Sequence, residues 1–163
     1  MPALQGGRML VQVRVIGPTG SAYARLRVDT GDDVALLSPV VLPPTGAVPI
    51  ATVDIIGVDG MPVQAPVYLV DIDVGPGQGT LQGVQIVGYP LSNPQWDGLF
   101  GDNLLDQCNL SRNGPAGTWS LSVVQGAPPP ARASRVLEAA GVAGVLSGAL
   151  LAAAALDLLP RRR

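Results

Sequence analysis

The chain of 163 residues contains no histidine and no lysine, and it has one cysteine, Cys108, and one glutamate, Glu138. Hydrolases with a Ser-His-Asp or Cys-His arrangement are excluded because both need an imidazole. Schiff-base chemistry and the Walker-type phosphate site are excluded because both need a lysine amine. Zinc sites built from clustered Cys and His are excluded too, and one cysteine cannot form an internal disulfide. Acid–base chemistry is therefore left to carboxylates, tyrosine and water.

Charge is also scarce, at 13% of residues, whereas glycine (21) and proline (16) are abundant. With 47% apolar residues the chain is too hydrophobic for disorder, so this composition predicts many short strands joined by tight turns. Residues 1–126 carry five Arg against ten Asp, and residues 127–163 carry five Arg against Glu138 and Asp157. Because the first part has no basic surface, we expect no nucleic-acid partner.

Three consecutive prolines at 128–130 divide the chain into unlike parts. They predict a body domain over residues 1–126, a proline-rich linker over 127–131 and a C-terminal hydrophobic helix over 132–163. Within that helix, residues 139–156 carry no charge and would span roughly 27 Å, close to a bilayer core of about 30 Å. This stretch is rich in alanine, so both a membrane anchor and a helix that packs on the body or on a partner remain open. Since the first residues do not resemble a signal peptide, we expect a cytoplasmic or membrane-anchored protein.

Before the prolines, the pattern of side chains is typical of β-strands. Apolar and polar residues alternate at 11–15 and at 24–28, with turn-forming residues between them. A second pair of strand patterns flanks another glycine-containing turn. We therefore predict a first hairpin over residues 9–28, a second from 52–56 and 63–70, further strands at 81–87 and 118–124, and a short helix over 101–108.

Two motifs in this body carry candidate chemistry. Asp29, Thr30 and Gly31 directly follow a predicted strand, so the backbone of a tight turn would position the Asp29 carboxylate. A glycine in such a turn permits unusual backbone angles and the close approach of another segment. Downstream, an apolar pair with a glycine on each side, residues 98–101, precedes the predicted helix.

These two motifs, in this order and separated by a glycine-containing hairpin, resemble the retropepsin-like aspartic proteases over about residues 9–124. The form is similar to the single-domain members of retroviruses and bacteria. The resemblance implies an all-β, closed barrel with one short helix, and an endopeptidase activity that needs no metal or other cofactor. It also implies a homodimer, because each chain supplies only one Asp29 to a two-carboxylate site that activates water.

The resemblance further assigns roles to individual residues. Asp29 is the catalytic residue, and Thr30 and Gly31 support the active site by bracing the dyad. A flap closes over an extended peptide substrate and excludes water. The substrate-binding residues are Asp33 and the flap residues Gly57, Val58, Asp59 and Gly60. The structural second motif consists of Gly98, Leu99, Phe100, Gly101 and Asn103.

Two positions depart from the family pattern. Asp32 stands where the family usually has Ala or Ser, and it adds a carboxylate close to the dyad. Asp102 stands where retroviral members carry an arginine that pairs with the acid at the position of Asp33. Two acids would then face each other unless Arg14 or Arg112 lies between them. An alternative therefore stays open, in which the chain is a catalytically degenerate dimerisation or peptide-binding module of the same fold.

Three other residues are interpreted as packing rather than as ligands. Trp96 and Trp119 lie near the second motif and in the last predicted strand, where an aromatic core is the simpler explanation. Cys108 follows the predicted helix and is expected to be buried. None of the three enters the predicted site.

Overall fold

A computed structural model describes residues 4, 5, 7–56, 61–91 and 95–124. The strands within these ranges are β1 (Leu10–Ile16), β2 (Ser21–Val28), β3 (Leu36–Leu37), β4 (Pro49–Ile56), β5 (Pro62–Asp73), β6 (Thr80–Gly88), β7 (Gly98–Phe100), β8 (Cys108–Asn113) and β9 (Thr118–Val123). The helices are α1 (Asp102–Leu105) and two single turns of 3-10 helix, Pro39–Val41 and Pro43–Thr45.

Two parts of the prediction fall outside the described residues. They are the linker and C-terminal helix, residues 127–163, and the flap tip, residues 57–60. Within the described ranges, no helix combines the length and the apolar character that a membrane span requires.

Six strands close a barrel. β1, β2, β7, β3, β6 and β5 are hydrogen-bonded in that order, and β5 also pairs with β1. β4 pairs along the first half of β5 and extends the sheet as a hairpin arm. β8 and β9 form a separate two-stranded sheet. The prediction of an all-β, closed barrel with one short helix is confirmed for the described part of the chain.

The alternating pattern explains why the first hairpin forms as predicted. Val11, Val13 and Val15 of β1 are buried and face a core that β2 completes with Leu26 and Val28. Each such side chain contributes about 1.5–3 kcal/mol when it is fully removed from water. The intervening residues stay outside, so a one-residue slip would expose the whole apolar row.

The predicted helix over 101–108 is too long. α1 ends at Leu105, and the chain is already extended at Cys108, which pairs with Val123 of β9. The main-chain oxygen of Gln107 accepts a hydrogen bond from the N–H of Val124 at 2.8 Å. Pairing with the last strand therefore replaces the final helical turn, a contact that local sequence pattern does not reveal.

Candidate active site

The barrel brings the two motifs together at one edge. β2 and β7 run parallel, with Val28 beside Phe100, so both strands end at the same place. The N–H of Asp29 donates to the Phe100 oxygen at 3.1 Å. β3 then runs antiparallel to β7, so the chain that leaves the Asp29 turn passes back along the second motif. The two motifs, which are distant in sequence, are therefore adjacent in the structure.

The Asp29 turn is open to its surroundings. The Asp29 side chain is 24% exposed, and its Oδ1 accepts a hydrogen bond from the Gly31 N–H at 3.2 Å. Thr30 and Gly31 are exposed. Among the described residues, a Cβ at Gly31 would meet only Asp29 Oδ1, at 3.5 Å, and Gly31 is not among the described glycines with positive φ. The expectation that Gly31 serves an unusual backbone angle or a close approach is wrong within a single chain.

The second motif is crowded instead. A Cβ added at Gly98 would collide with the Leu36 oxygen, and one at Gly101 would lie 2.5 Å from the Val34 carbonyl carbon and oxygen. Leu99 is 8% exposed and Phe100 is fully buried. Here glycine is required because two pieces of backbone pack against each other.

Backbone and side-chain hydrogen bonds join the loop after the Asp29 turn to α1. The Asp102 N–H donates to the Asp32 oxygen at 2.8 Å, and the Asn103 N–H donates to the Asp33 oxygen at 3.2 Å. The Asn103 side chain continues the connection. Its Oδ1 accepts from the Ala35 N–H at 2.8 Å, and its Nδ2 donates to the Gln85 oxygen at 2.8 Å. Asn103 therefore connects α1 to the start of β3 and to β6.

The acids that depart from the family pattern are joined through the backbone rather than through an arginine. Asp33 is exposed and Asp102 is half-buried in the first turn of α1. Arg14, considered as a counter-ion for them, instead pairs with Asp73 at 3.1 Å. Arg112 lies exposed on β8.

The arginine at the site is one that the motif did not indicate. Arg27 Nη2 forms an ion pair with Asp29 Oδ2. The same guanidinium lies over the Trp96 ring, 5.2 Å from its centroid, and Arg8 also lies over that ring at 5.0 Å. The sequence feature that indicates this contact is the alternation of side chains along β2, because it places Arg25, Arg27 and the following Asp29 on one face.

The β4–β5 hairpin carries the predicted flap. Its register runs from Ala51 beside Val67 to Ile56 beside Pro62, so the two strands are paired up to their last described residues. Ile56 and Met61, on either side of the tip, are 73% and 64% exposed. The strands of the predicted second hairpin are confirmed, while Gly57, Val58, Asp59 and Gly60 lie outside the described residues.

Of the residues interpreted as packing, Trp119 and Cys108 contact the barrel core, whereas Trp96 is buried beneath the guanidinium groups of Arg8 and Arg27. Trp96 and Trp119 are 7% and 2% exposed, and half-buried Cys108 lies against the barrel core. Burial raises the pKa of the Cys108 thiol to about 11. Among the described residues, no group of three or more His, Cys, Asp and Glu is placed to hold a metal ion. No family model and no curated protein matches the chain.

Proposed function

We propose that the chain is a retropepsin-like aspartic endopeptidase that hydrolyses peptide bonds in extended polypeptides. The active form is a homodimer in which each chain contributes one Asp29. Two carboxylates about 3 Å apart cannot both ionise at low cost, so the pair shares one proton. The ionised oxygen takes a proton from a water molecule as that water attacks the peptide carbonyl, and the protonated carboxyl polarises the carbonyl oxygen.

The observation that carries this proposal is the junction of the two motifs. Asp29 lies at the end of a barrel strand, and the N–H groups of Asp29, Asp102 and Asn103 each donate across the junction. A catalytic group held by the ends of rigid strands keeps its position better than one on a free loop. The adjacency supports the family resemblance because the two motifs are distant in sequence and each is weak alone.

The homodimer is supported by what surrounds Asp29. One chain offers a single Asp29 in a turn whose next two residues, Thr30 and Gly31, are exposed. In the described part of the chain, an added Cβ at Gly31 would contact Asp29 and no other residue. The turn is therefore uncrowded where a second copy would have to approach, and Thr30 is free to contact it.

The β4–β5 arm supports an extended substrate. The arm projects beyond the six-stranded barrel and presents exposed apolar side chains at Ile56, Met61 and Val63. A peptide that binds as an added strand is held through its backbone, while apolar pockets read its side chains. In this proposal Gly57, Val58, Asp59 and Gly60 close over the peptide, and Asp33 contacts it from below.

A second candidate is a non-catalytic dimerisation or peptide-binding module of the same fold. The Arg27 ion pair favours it, because an arginine beside Asp29 stabilises the ionised carboxylate and opposes the shared proton. Asp32 and Asp102, which depart from the family pattern, point the same way. Binding of peptides without any cleavage product would support this module.

The test compares the full-length chain with D29N. A peptide library is incubated with each protein, and products are identified by mass spectrometry. We expect D29N to lose cleavage by at least about 10³-fold, since an amide cannot act as the general base. Circular dichroism and light scattering should show the same fold and the same mass for both.

The matched control is D71N, which removes one carboxylate charge away from the junction. Asp71 Oδ1 accepts the Gly83 N–H at 2.7 Å, and an asparagine oxygen can accept the same bond. We expect D71N to cleave like the unmodified chain. Equal cleavage by D29N and the unmodified chain would refute the proposal.

A further inference from the structure

Each oxygen of the Asp29 carboxylate accepts a hydrogen bond within the single chain. Oδ1 accepts the Gly31 N–H, and Oδ2 accepts the Arg27 guanidinium. Hydrogen bonds donated to a carboxylate favour its charged form. Each oxygen keeps a second lone pair, so the carboxylate can still take up a proton, but the positive charge of Arg27 opposes that uptake.

Trp96 holds Arg27 in place. The Trp96 ring lies under the guanidinium, and its chain segment is fixed to β2 by two bonds at the next residue. The Asp97 N–H donates to the Arg25 oxygen at 2.7 Å, and the Arg25 N–H donates to Asp97 Oδ2 at 2.8 Å. The position of Arg27 is thus supported by neighbours on β2 and before β7, beyond its ion pair with Asp29.

From this arrangement we infer that Arg27 is a positioning residue that regulates Asp29. It favours the ionised carboxylate and orients it in the single chain, and its charge opposes the uptake of the proton that two Asp29 side chains would share. This inference deepens the proposed function and rests on it for its catalytic consequence. The geometry of the Arg27, Trp96 and Asp29 cluster rests on the structure alone.

Arg27 is expected to change the pH at which Asp29 takes up a proton, and the direction of that change follows from charge. Removing Arg27 should let Asp29 take up its proton at a higher pH, because an opposite charge no longer favours the ionised form. The other charged groups on β2 and on the segments next to Asp29 are Arg8, Arg25, Asp32, Asp33, Asp97 and Asp102. All of them stay in place in R27Q, and R25Q measures the effect of removing another charge from β2.

The experiment is an NMR titration of full-length chains labelled at the aspartate carboxyl carbon. The Asp29 signal is assigned by its loss in D29N. We expect R27Q to move the midpoint of the Asp29 titration upward by about one pH unit, and R27K to restore most of the original midpoint. The matched control is R25Q, two residues earlier on the same face, which should leave the midpoint unchanged.

Cleavage measured across pH gives the second readout. Because the dyad works only while it holds its proton, R27Q should extend cleavage to higher pH than the unmodified chain. Equal midpoints in R27Q and R25Q would overturn the inference, and so would an R27Q midpoint that moves down. If the midpoint moves up but no variant cleaves any peptide, the proposed function fails while the control of Asp29 by Arg27 stands.

Discussion

The Asp29 turn and the second motif lie side by side yet differ in how they are built. The turn is exposed at Thr30 and Gly31 and carries a carboxylate that solvent can reach. The second motif is buried at Leu99, Phe100 and Gly101, and its glycines meet the backbone of another segment. The Asp29 turn carries the candidate catalytic group, and the second motif supports that turn.

This difference assigns different costs to similar substitutions. In the second motif, an added atom at a glycine has to displace backbone, so we expect the unfolding free energy to fall. In the Asp29 turn, an added atom meets little within the chain, so we expect activity or assembly to change before stability does. Glycine appears in both motifs, but for different physical reasons.

The largest expected effect comes from G101A compared with G31A. Overpacking against the Val34 backbone should cost G101A about 3 kcal/mol of unfolding free energy. G31A has its nearest contact at 3.5 Å and should stay within about 0.5 kcal/mol. Urea unfolding of both variants at one fixed protein concentration measures the difference. Equal losses would break the contrast between the two regions.

Much of the barrel could be predicted from the alternating pattern. β1 and β2 alternate clearly because one face of each packs on the core while the other face remains accessible, and β4 and β5 were indicated by strand-like runs on either side of a glycine-containing turn. The adjacency of the two motifs was not predicted, because they are distant along the chain. No local pattern indicates that β2 and β7 should be neighbours.

The remaining features depend on tertiary contacts. β3 and β7 have two and three residues, too few to show any period, and they exist because they lie between longer strands. The end of α1 is set by pairing of Gln107 and Cys108 with the last strand. The contact of Arg27 with Asp29 was not predicted, because alternation indicates which residues share a face but not which of them are in contact.

A smaller effect is expected at Asn103, which links the two regions. N103A removes the acceptor for the Ala35 N–H and the donor to the Gln85 oxygen, both in a partly buried setting. Leaving such groups unpaired should cost about 2 kcal/mol in total. The matched control is N109A, an exposed asparagine on β8, which should remain within about 0.5 kcal/mol.

Thermal and urea unfolding of N103A and N109A test this prediction, and cleavage assays sharpen it. Because Asn103 helps to hold the chain just after the Asp29 turn, N103A should also reduce cleavage at temperatures where it is fully folded. A fully folded N103A with unchanged stability would show that the two regions are held together without this side chain.

At neutral pH the smallest expected effect on stability concerns Cys108, the first residue of β8, which pairs with β9. Burial raises the pKa of its thiol from 9.0 to about 11, so the folded chain keeps the thiol proton over a pH range in which the unfolded chain loses it. The unfolded state then binds fewer protons, and the unfolding free energy falls as pH rises from about 9 to 11. Urea titrations across this range should show that the unfolding free energy falls more steeply with pH for the unmodified chain than for C108A.

Alkylation of Cys108 by iodoacetamide should also be slower in the folded chain than in the unfolded chain at pH 8, since only the thiolate reacts. Equal alkylation rates would show that the segment around Cys108 opens readily. The contrast with the Asp29 turn would then be confined to the second motif.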